Sequence, residues 1–261
     1  MRFNSEAQLT NWALQAQHLW LFLDYDGTLV DLSPTPDLLE LNYRVIDLLK
    51  RLAHQSTTRL TIITGRKLPA IKALLPVPGI FLAGTYGIEL FTPSGQSIQR
   101  VDYADIRPAL EEIKPQWEQI IAGRKGFFLE DKGWTLALHA FYADSSEAEV
   151  VYATARQAID KKFPSDRFHI LDDDKLLEIV PAQANKRETV FYLIQHYPFQ
   201  GMQLLYIGND DKDEDAFSAI HTYDGVAIKV IQPSQSSHST EADYIMESPQ
   251  DVNLWLEKLV P

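Results

Sequence analysis

The sequence predicts an α/β protein, a doubly wound parallel sheet interrupted by an inserted α+β cap. Three observations predict it. Strands in the first hundred residues read apolar throughout and alternate with amphipathic helices, as strands covered on both faces do. From about Glu89 this alternation gives way to turn-linked strand pairs. At Lys186 it returns.

LWLFLD (19–24) is a continuous apolar strand, and residues 41–55 place Val45, Leu48, Leu49 and Leu52 at helical spacing. RLTIIT (59–64) is the second strand, LPAIKALL (68–75) the second helix, and GIFLAG (79–84) a third, short strand. In IELFTPSGQSIQRV (88–101), Pro-Ser-Gly separates two strand-like runs as a hairpin. A helix follows from Ala104 to Ile121, then two strands around Asp131–Gly133, a helix from Ser145 to Phe163, and a hairpin in 167–181 turning at the aspartates. Helix 187–197, strand 202–210, helix 213–220, strand 225–230 and a helix from Pro249 complete the core. The core therefore comprises 1–103 and 182–261, and the cap 104–181, about 80 residues and within the usual range for a domain.

A chain of 261 residues, 45% hydrophobic, can bury a full core. Zero cysteines exclude disulfides, thiolate metal sites and thiol nucleophiles, leaving hard oxygen-bound or histidine-bound cations. A net charge of -12 argues against broad contact with nucleic acid, whose phosphates demand a basic face. No apolar stretch has the length to span a bilayer and residues 1–10 lack a signal-peptide pattern, so the expectation is a cytoplasmic protein without a membrane partner. The Gln/Ser-rich run 232–240 reads as a surface loop.

The first strand ends on two aspartates, Asp24 and Asp26. Carboxylates at the edge of a core repel each other unless a cation, a proton or both intervene. In a parallel sheet, ligands bind beyond the carboxyl ends of the strands, where Asp24, Thr64 and Gly84 fall. DYDGT (24–28), Thr64-Gly65-Arg66, Lys186 opening a helix, and GNDDKDED (208–215) come in the order of the four motifs of the haloacid dehalogenase-type phosphatases, and the chain resembles that superfamily. The resemblance implies Asp24 as nucleophile and Mg²⁺ ligand, Asp26 as acid and base with its carbonyl on the metal, Thr64 and Lys186 on the phosphoryl oxygens, and Asp213 anchoring the metal directly or through water. Gly65 and Arg66 fall on the substrate side. Where the family usually has Gly-Asp, this chain has Gly208-Asn209, so the metal set includes Asn209 with Asp210 as compensation. Acidic residues of 210–215 also suit a solvated helix start, and the histidines, His139 among them, read as core or surface residues.

Within the superfamily, LEDKGWTLALH (129–139), KLLEIVPAQANK (175–186) and GTYGIE (84–89) resemble the trehalose-6-phosphate phosphatases. That likeness implies sugar contacts from Glu130, Lys132 and Glu178, the first two sharing a face of their strand. Tyr86 stands where the family usually has histidine, Val180 where it has arginine, and Arg187 where it has glycine. The expected partner is a small-molecule sugar phosphate acted on by a monomer, trehalose 6-phosphate first. Glucosylglycerol phosphate, mannosyl-phosphoglycerate and sucrose phosphate are alternatives, as is a degenerate relative that binds a sugar phosphate for regulation.

Overall fold

The computed structural model describes residues 3–32, 40–160, 166–173, 175–198, 201–231 and 240–260. In chain order the elements are α1 (Glu6–Leu14), β1 (His18–Leu23), α2 (Tyr43–Ala53), β2 (Thr58–Ile63), α3 (Leu68–Leu74), β3 (Phe81–Gly84), β4 (Glu89–Phe91) and β5 (Ser97–Gln99). Then come α4 (Tyr103–Ile121), β6 (Phe128–Asp131), β7 (Leu136–His139), α5 (Ser145–Asp160), β8 (Phe168–Asp173) and β9 (Leu176–Pro181). The chain closes with α6 (Lys186–His196), β10 (Met202–Gly208), α7 (Asp211–His221), β11 (Val226–Val230), β12 (Tyr244–Met246) and α8 (Pro249–Glu257). It divides into a core unit, residues 1–98 and 185–261, and an inserted unit, 99–184.

In the core unit the described strands run in the order β12-β11-β10-β1-β2-β3-β4-β5, parallel from β12 to β3, with β4 antiparallel to β3. Successive side chains of a strand point to opposite faces, and β1 divides its burial accordingly. Leu19, Leu21 and Leu23 pack with Val45, Leu49, Ile71 and Trp255 from α2, α3 and α8, whereas Trp20 and Phe22 pack with Val190, Leu193 and Phe217 from α6 and α7. Each fully buried leucine or phenylalanine stabilises the unit by roughly 1.5–3 kcal/mol. The all-apolar strand is thus explained by two covered faces. Leu23 pairs with Ile62 of β2 and Ile207 of β10, which brings the carboxyl ends of all three strands level. The strand order reverses between β1 and β10, so the tips of these two strands flank a topological switch point.

The inserted unit is a four-stranded antiparallel sheet, β6-β7-β9-β8. Leu136, Leu138, Leu177 and Ile179 pack on Ile106, Leu110, Trp117, Val151 and Ala155 of α4 and α5. Glu130, Ala137 and Glu178 are cross-strand neighbours in one row, of opposite parity to those packed residues and therefore on the other face.

Two elements carry little sequence signal. α1 buries only Leu9 and Ala13, and β12 is three residues long, too short for a period to register. Phe163, Asp174 and residues 232–239 lie outside the described residues. No helix among the described residues is long and apolar enough to cross a membrane.

Candidate active site

Asp24 follows β1, its amide tied to the carbonyl of Ile207 on β10 (2.9 Å) and its side chain buried. Asn185 caps α6 through the Glu188 amide, which starts the helix at Lys186. Lys186 Nζ then lies 2.9 Å from Asp24 Oδ1, 2.7 Å from Asp213 Oδ1 and 3.8 Å from Asp210 Oδ1. One ammonium faces three carboxylates. Burial pushes Asp24 up to about 6 against the pull of Lys186, and Asp210 adds to the rise. Burial alone would lower Lys186, but the carboxylates of Asp210, Asp213 and Asp24 outweigh it and raise the ammonium well above its ordinary range. The cluster is short of positive charge.

Asp213 is fully buried and its carboxylate is saturated. Oδ1 accepts from Lys186 and from the Tyr206 hydroxyl (2.7 Å each), and Oδ2 from the amides of Asn209 (3.0 Å) and Asp210 (3.1 Å). Four donors occupy the four lone-pair directions of a carboxylate. Asp213 thus holds Lys186 and the 208–210 loop in place. Asp210, expected as a compensating ligand, caps α7 in a reciprocal capping box with Asp213. Glu214 is engaged by Lys229 and Thr240, and Asp211 faces solvent.

Asn209 is the residue that approaches the strand tip. Its amide group stands 3.1 Å from Asp24 Oδ2, 2.9 Å from the Asp26 carbonyl oxygen and 3.2 Å from Thr28 Oγ1. Adjacent oxygens around Mg²⁺, each about 2.1 Å from the ion at right angles, are separated by about 3 Å, so a carboxylate, a carbonyl and an amide oxygen at these spacings fit that cation. Without a cation the amide satisfies the same oxygens by turning its nitrogen to them. Among the described residues no three acidic or histidine side chains form a metal cluster, so the fit is to this mixed oxygen set. Gly27 makes the approach possible. Its φ is +82°, and a Cβ there would lie 2.4 Å from the nearest atom of the Asn209 side-chain amide.

Asp26 is gripped by Arg66, Nε on Oδ2 and Nη2 on Oδ1, both at 2.7 Å. Arg66, expected on the substrate, is a fork that fixes the direction of the Asp26 carboxylate. Both line a cavity of about 550 Å³ with Tyr25, Asn42 and Arg44, so Asp26 faces open volume. Thr64, buried at the end of β2, receives the Arg66 amide on Oγ1 (3.2 Å). Gly65 has its open side filled by the Tyr86 phenol, which a Cβ would meet at 2.7 Å. Thr85 and Tyr86 both adopt positive φ (50° and 55°), and their amides bond the carbonyls of Arg66 and Thr64. Two strained residues in succession are stapled to the Thr64–Arg66 turn.

Lys132 Nζ bonds Glu178 Oε1 (2.9 Å), which also accepts the Thr135 hydroxyl (2.5 Å), and Glu130 Oε2 meets His139 Nε2 (3.1 Å). Glu178 is fully buried, an anchor for Lys132.

Sequence reading passed over Thr28 and Tyr206, and took His139 for a core or surface residue. Tyr206 had a signal, a lone hydroxyl in the apolar run LLYI whose burial demands a partner. Thr28 had one too, as the last residue of DYDGT, and its hydroxyl meets Asp24 Oδ2 at 3.2 Å.

The trehalose-phosphatase family profile matches residues 22–250. The trehalose-6-phosphate phosphatase of Escherichia coli strain K12 is 29% identical over 247 residues, 94% of this chain and 88% of that protein. A trehalose-phosphate phosphatase of Mycobacterium ulcerans is 30% identical over 236 residues, 89% of this chain but 59% of that longer protein. Among solved structures, the C-terminal domain of Candida albicans trehalose-6-phosphate phosphatase has a TM-score of 0.86 at 18% identity, covering 99% of this chain and 97% of that one, a likeness of fold. The chain belongs to the trehalose-phosphatase family, phosphoric monoester hydrolases of haloacid dehalogenase-like fold.

Proposed function

We propose that the chain hydrolyses trehalose 6-phosphate to trehalose and phosphate, with Mg²⁺ and through an aspartyl-phosphate on Asp24. The observation that carries the reading is the electron-rich cluster at the switch point, a buried nucleophile-grade carboxylate beside one ammonium and a cation-sized set of oxygens. Mg²⁺, held by Asp24, the Asp26 carbonyl and Asn209, would supply charge neutralisation at the phosphoryl group. Asp24 attacks phosphorus, the P–O bond to the sugar C6 oxygen breaks, and Asp26 gives that oxygen its proton. Asp26 then takes a proton from the water that attacks the phosphoryl group, which releases inorganic phosphate and restores Asp24. Arg66 keeps Asp26 aimed through both steps, Thr64 donates its hydroxyl to a phosphoryl oxygen, and Lys186 balances the charge of the group as it transfers. In the inserted unit Glu130 and Lys132 meet sugar hydroxyls, with Glu178 and Thr135 holding Lys132 in place.

A second reading, another glycosyl phosphate, is favoured by one observation. The Tyr86 phenol covers Gly65, beside the turn that carries Thr64, at a position where the family usually has histidine. Phosphate release with Mg²⁺ across trehalose 6-phosphate, sucrose 6-phosphate and glucosylglycerol phosphate separates the two. Preference for trehalose 6-phosphate, abolished by Asp24→Asn in a protein that still folds, is the expected result. Preference for another member moves the substrate, and activity surviving Asp24→Asn removes the nucleophile.

A further inference from the structure

His139 has no part in that chemistry, yet its surroundings are built. It ends β7, 7% exposed, with its ring stacked flat on Phe128, its cross-strand neighbour (centroids 4.3 Å apart, 7° between planes). Its Nε2 lies 3.1 Å from Glu130 Oε2, and its Nδ1 is buried without any hydrogen-bond partner. A contact between a ring nitrogen and a carboxylate needs an N–H on that nitrogen, which assigns the proton to Nε2. Nδ1 then carries a bare lone pair, and a buried lone pair without a donor is better tolerated than a buried N–H without an acceptor. The ring is therefore a one-sided donor aimed at Glu130.

Stacking fixes its plane, since an edge-on ring would lose the Phe128 face and swing Nε2 away. The row Glu130, Ala137, Glu178 adds a reason for such a holder. Only the methyl group of Ala137 separates the two carboxylates along the sheet. Each has its own donor at a fixed place, Lys132 and Thr135 for Glu178, His139 for Glu130. His139 thus ties Oε2 of Glu130 at a fixed place.

We propose that His139 is a positioning residue for substrate selection, orienting the Glu130 carboxylate toward a hydroxyl of the sugar. The inference rests on the reading above that Glu130 contacts the sugar. Without that donor the carboxylate loses the contact that sets the direction of Oε2, and the cost falls on binding of the sugar, not on phosphoryl transfer.

The test compares His139→Met, which keeps bulk and loses the donor, with His139→Gln, whose amide nitrogen can stand where Nε2 stands. Steady-state kinetics are measured with the preferred sugar phosphate and with p-nitrophenyl phosphate, which offers no sugar. The expected result is KM for the sugar phosphate raised about tenfold in His139→Met, equivalent to about 1.4 kcal/mol. The Gln variant should stay within about threefold of wild type, and hydrolysis of p-nitrophenyl phosphate should hardly change in either. Equal losses on both substrates, or an unchanged KM in His139→Met, would overturn the proposal. If the Met variant does not fold, His139→Asn takes its place, because its shorter amide cannot reach Glu130 and should show the raised KM. Glu130→Gln separates the two layers of inference. A raised KM there with none in the His139 variants overturns only the role of His139, whereas no effect of Glu130→Gln on any sugar phosphate removes the sugar contact beneath it.

Discussion

The core site and the Glu130–Glu178 face of the inserted sheet are both rich in charge, but they balance it in opposite ways. In the core, three carboxylates crowd one ammonium, and oxygens from Asp24, Asp26 and Asn209 stand at cation spacing. On the inserted sheet each carboxylate has a donor of its own, Lys132 for Glu178 and His139 for Glu130. A set that is incomplete by itself is suited to a reaction in which charge arrives and moves. A set that is complete by itself is suited to holding a shape. On the function proposed above, the difference says where to look for each property, metal and leaving-group dependence in the core and discrimination among sugars in the insert.

The largest expected break of that contrast is Arg66→Ala. With its two 2.7 Å contacts gone, Asp26 is no longer aimed, and positioned acid–base catalysis is worth roughly 10²–10⁴-fold, so a drop in kcat of about 10–100-fold on the sugar phosphate is expected. A sugar alkoxide needs its proton far more than p-nitrophenolate does, so the drop on p-nitrophenyl phosphate should be much smaller. Equal drops on both substrates would mean that Arg66 serves the phosphoryl group and not Asp26.

Asn209→Asp sharpens the comparison from the metal side. A fourth carboxylate beside one ammonium should lower the melting temperature in chelator and enlarge the increase that Mg²⁺ produces, with Mg²⁺ bound about tenfold more tightly. Thermal unfolding and calorimetric titration read this without any assay of turnover. An unchanged Mg²⁺ shift would place the cation away from Asn209.

How far all this was legible in the residues themselves follows from range. β1 announced itself because burial on both faces leaves no polar position in Leu19–Leu23, and the hairpins because Pro-Ser-Gly and Asp-Lys-Gly punctuate them. The convergence of Asp24, Lys186 and Asn209 was readable only through motif order, since each sits at the tip or start of a different element. What stayed hidden is who holds whom. Arg66 on Asp26 and His139 on Glu130 depend on rotamers and cross-strand register, which no spacing along the chain encodes. Asp213 illustrates the limit, because only the fold shows the Tyr206 hydroxyl 2.7 Å from its carboxylate.

The smallest expected effect concerns the other face of the inserted sheet, where Asp131 turns toward α4. Arg107 grips it with two nitrogens (2.7 and 2.9 Å), Lys114 approaches to 3.0 Å and the Gly133 amide to 2.9 Å. The Arg107 hydrogen bonds hold its carboxyl well below the usual carboxylate range in spite of burial. A carboxyl depressed on folding adds stability that is fully present above its unfolded pKa, about 3.9, and is lost as the pH falls below that toward the folded value. Wild type should therefore unfold at a higher temperature than Asp131→Asn at pH 6, and the gap should narrow by pH 3. Kinetics on the sugar phosphate at neutral pH should be nearly the same in both proteins, because Asp131 lies on the face opposite Glu130 and Lys132. A gap that is constant with pH would assign the contribution of Asp131 to packing and neutral hydrogen bonds, and a KM that moved with it would mean that the two faces of the sheet are not independent.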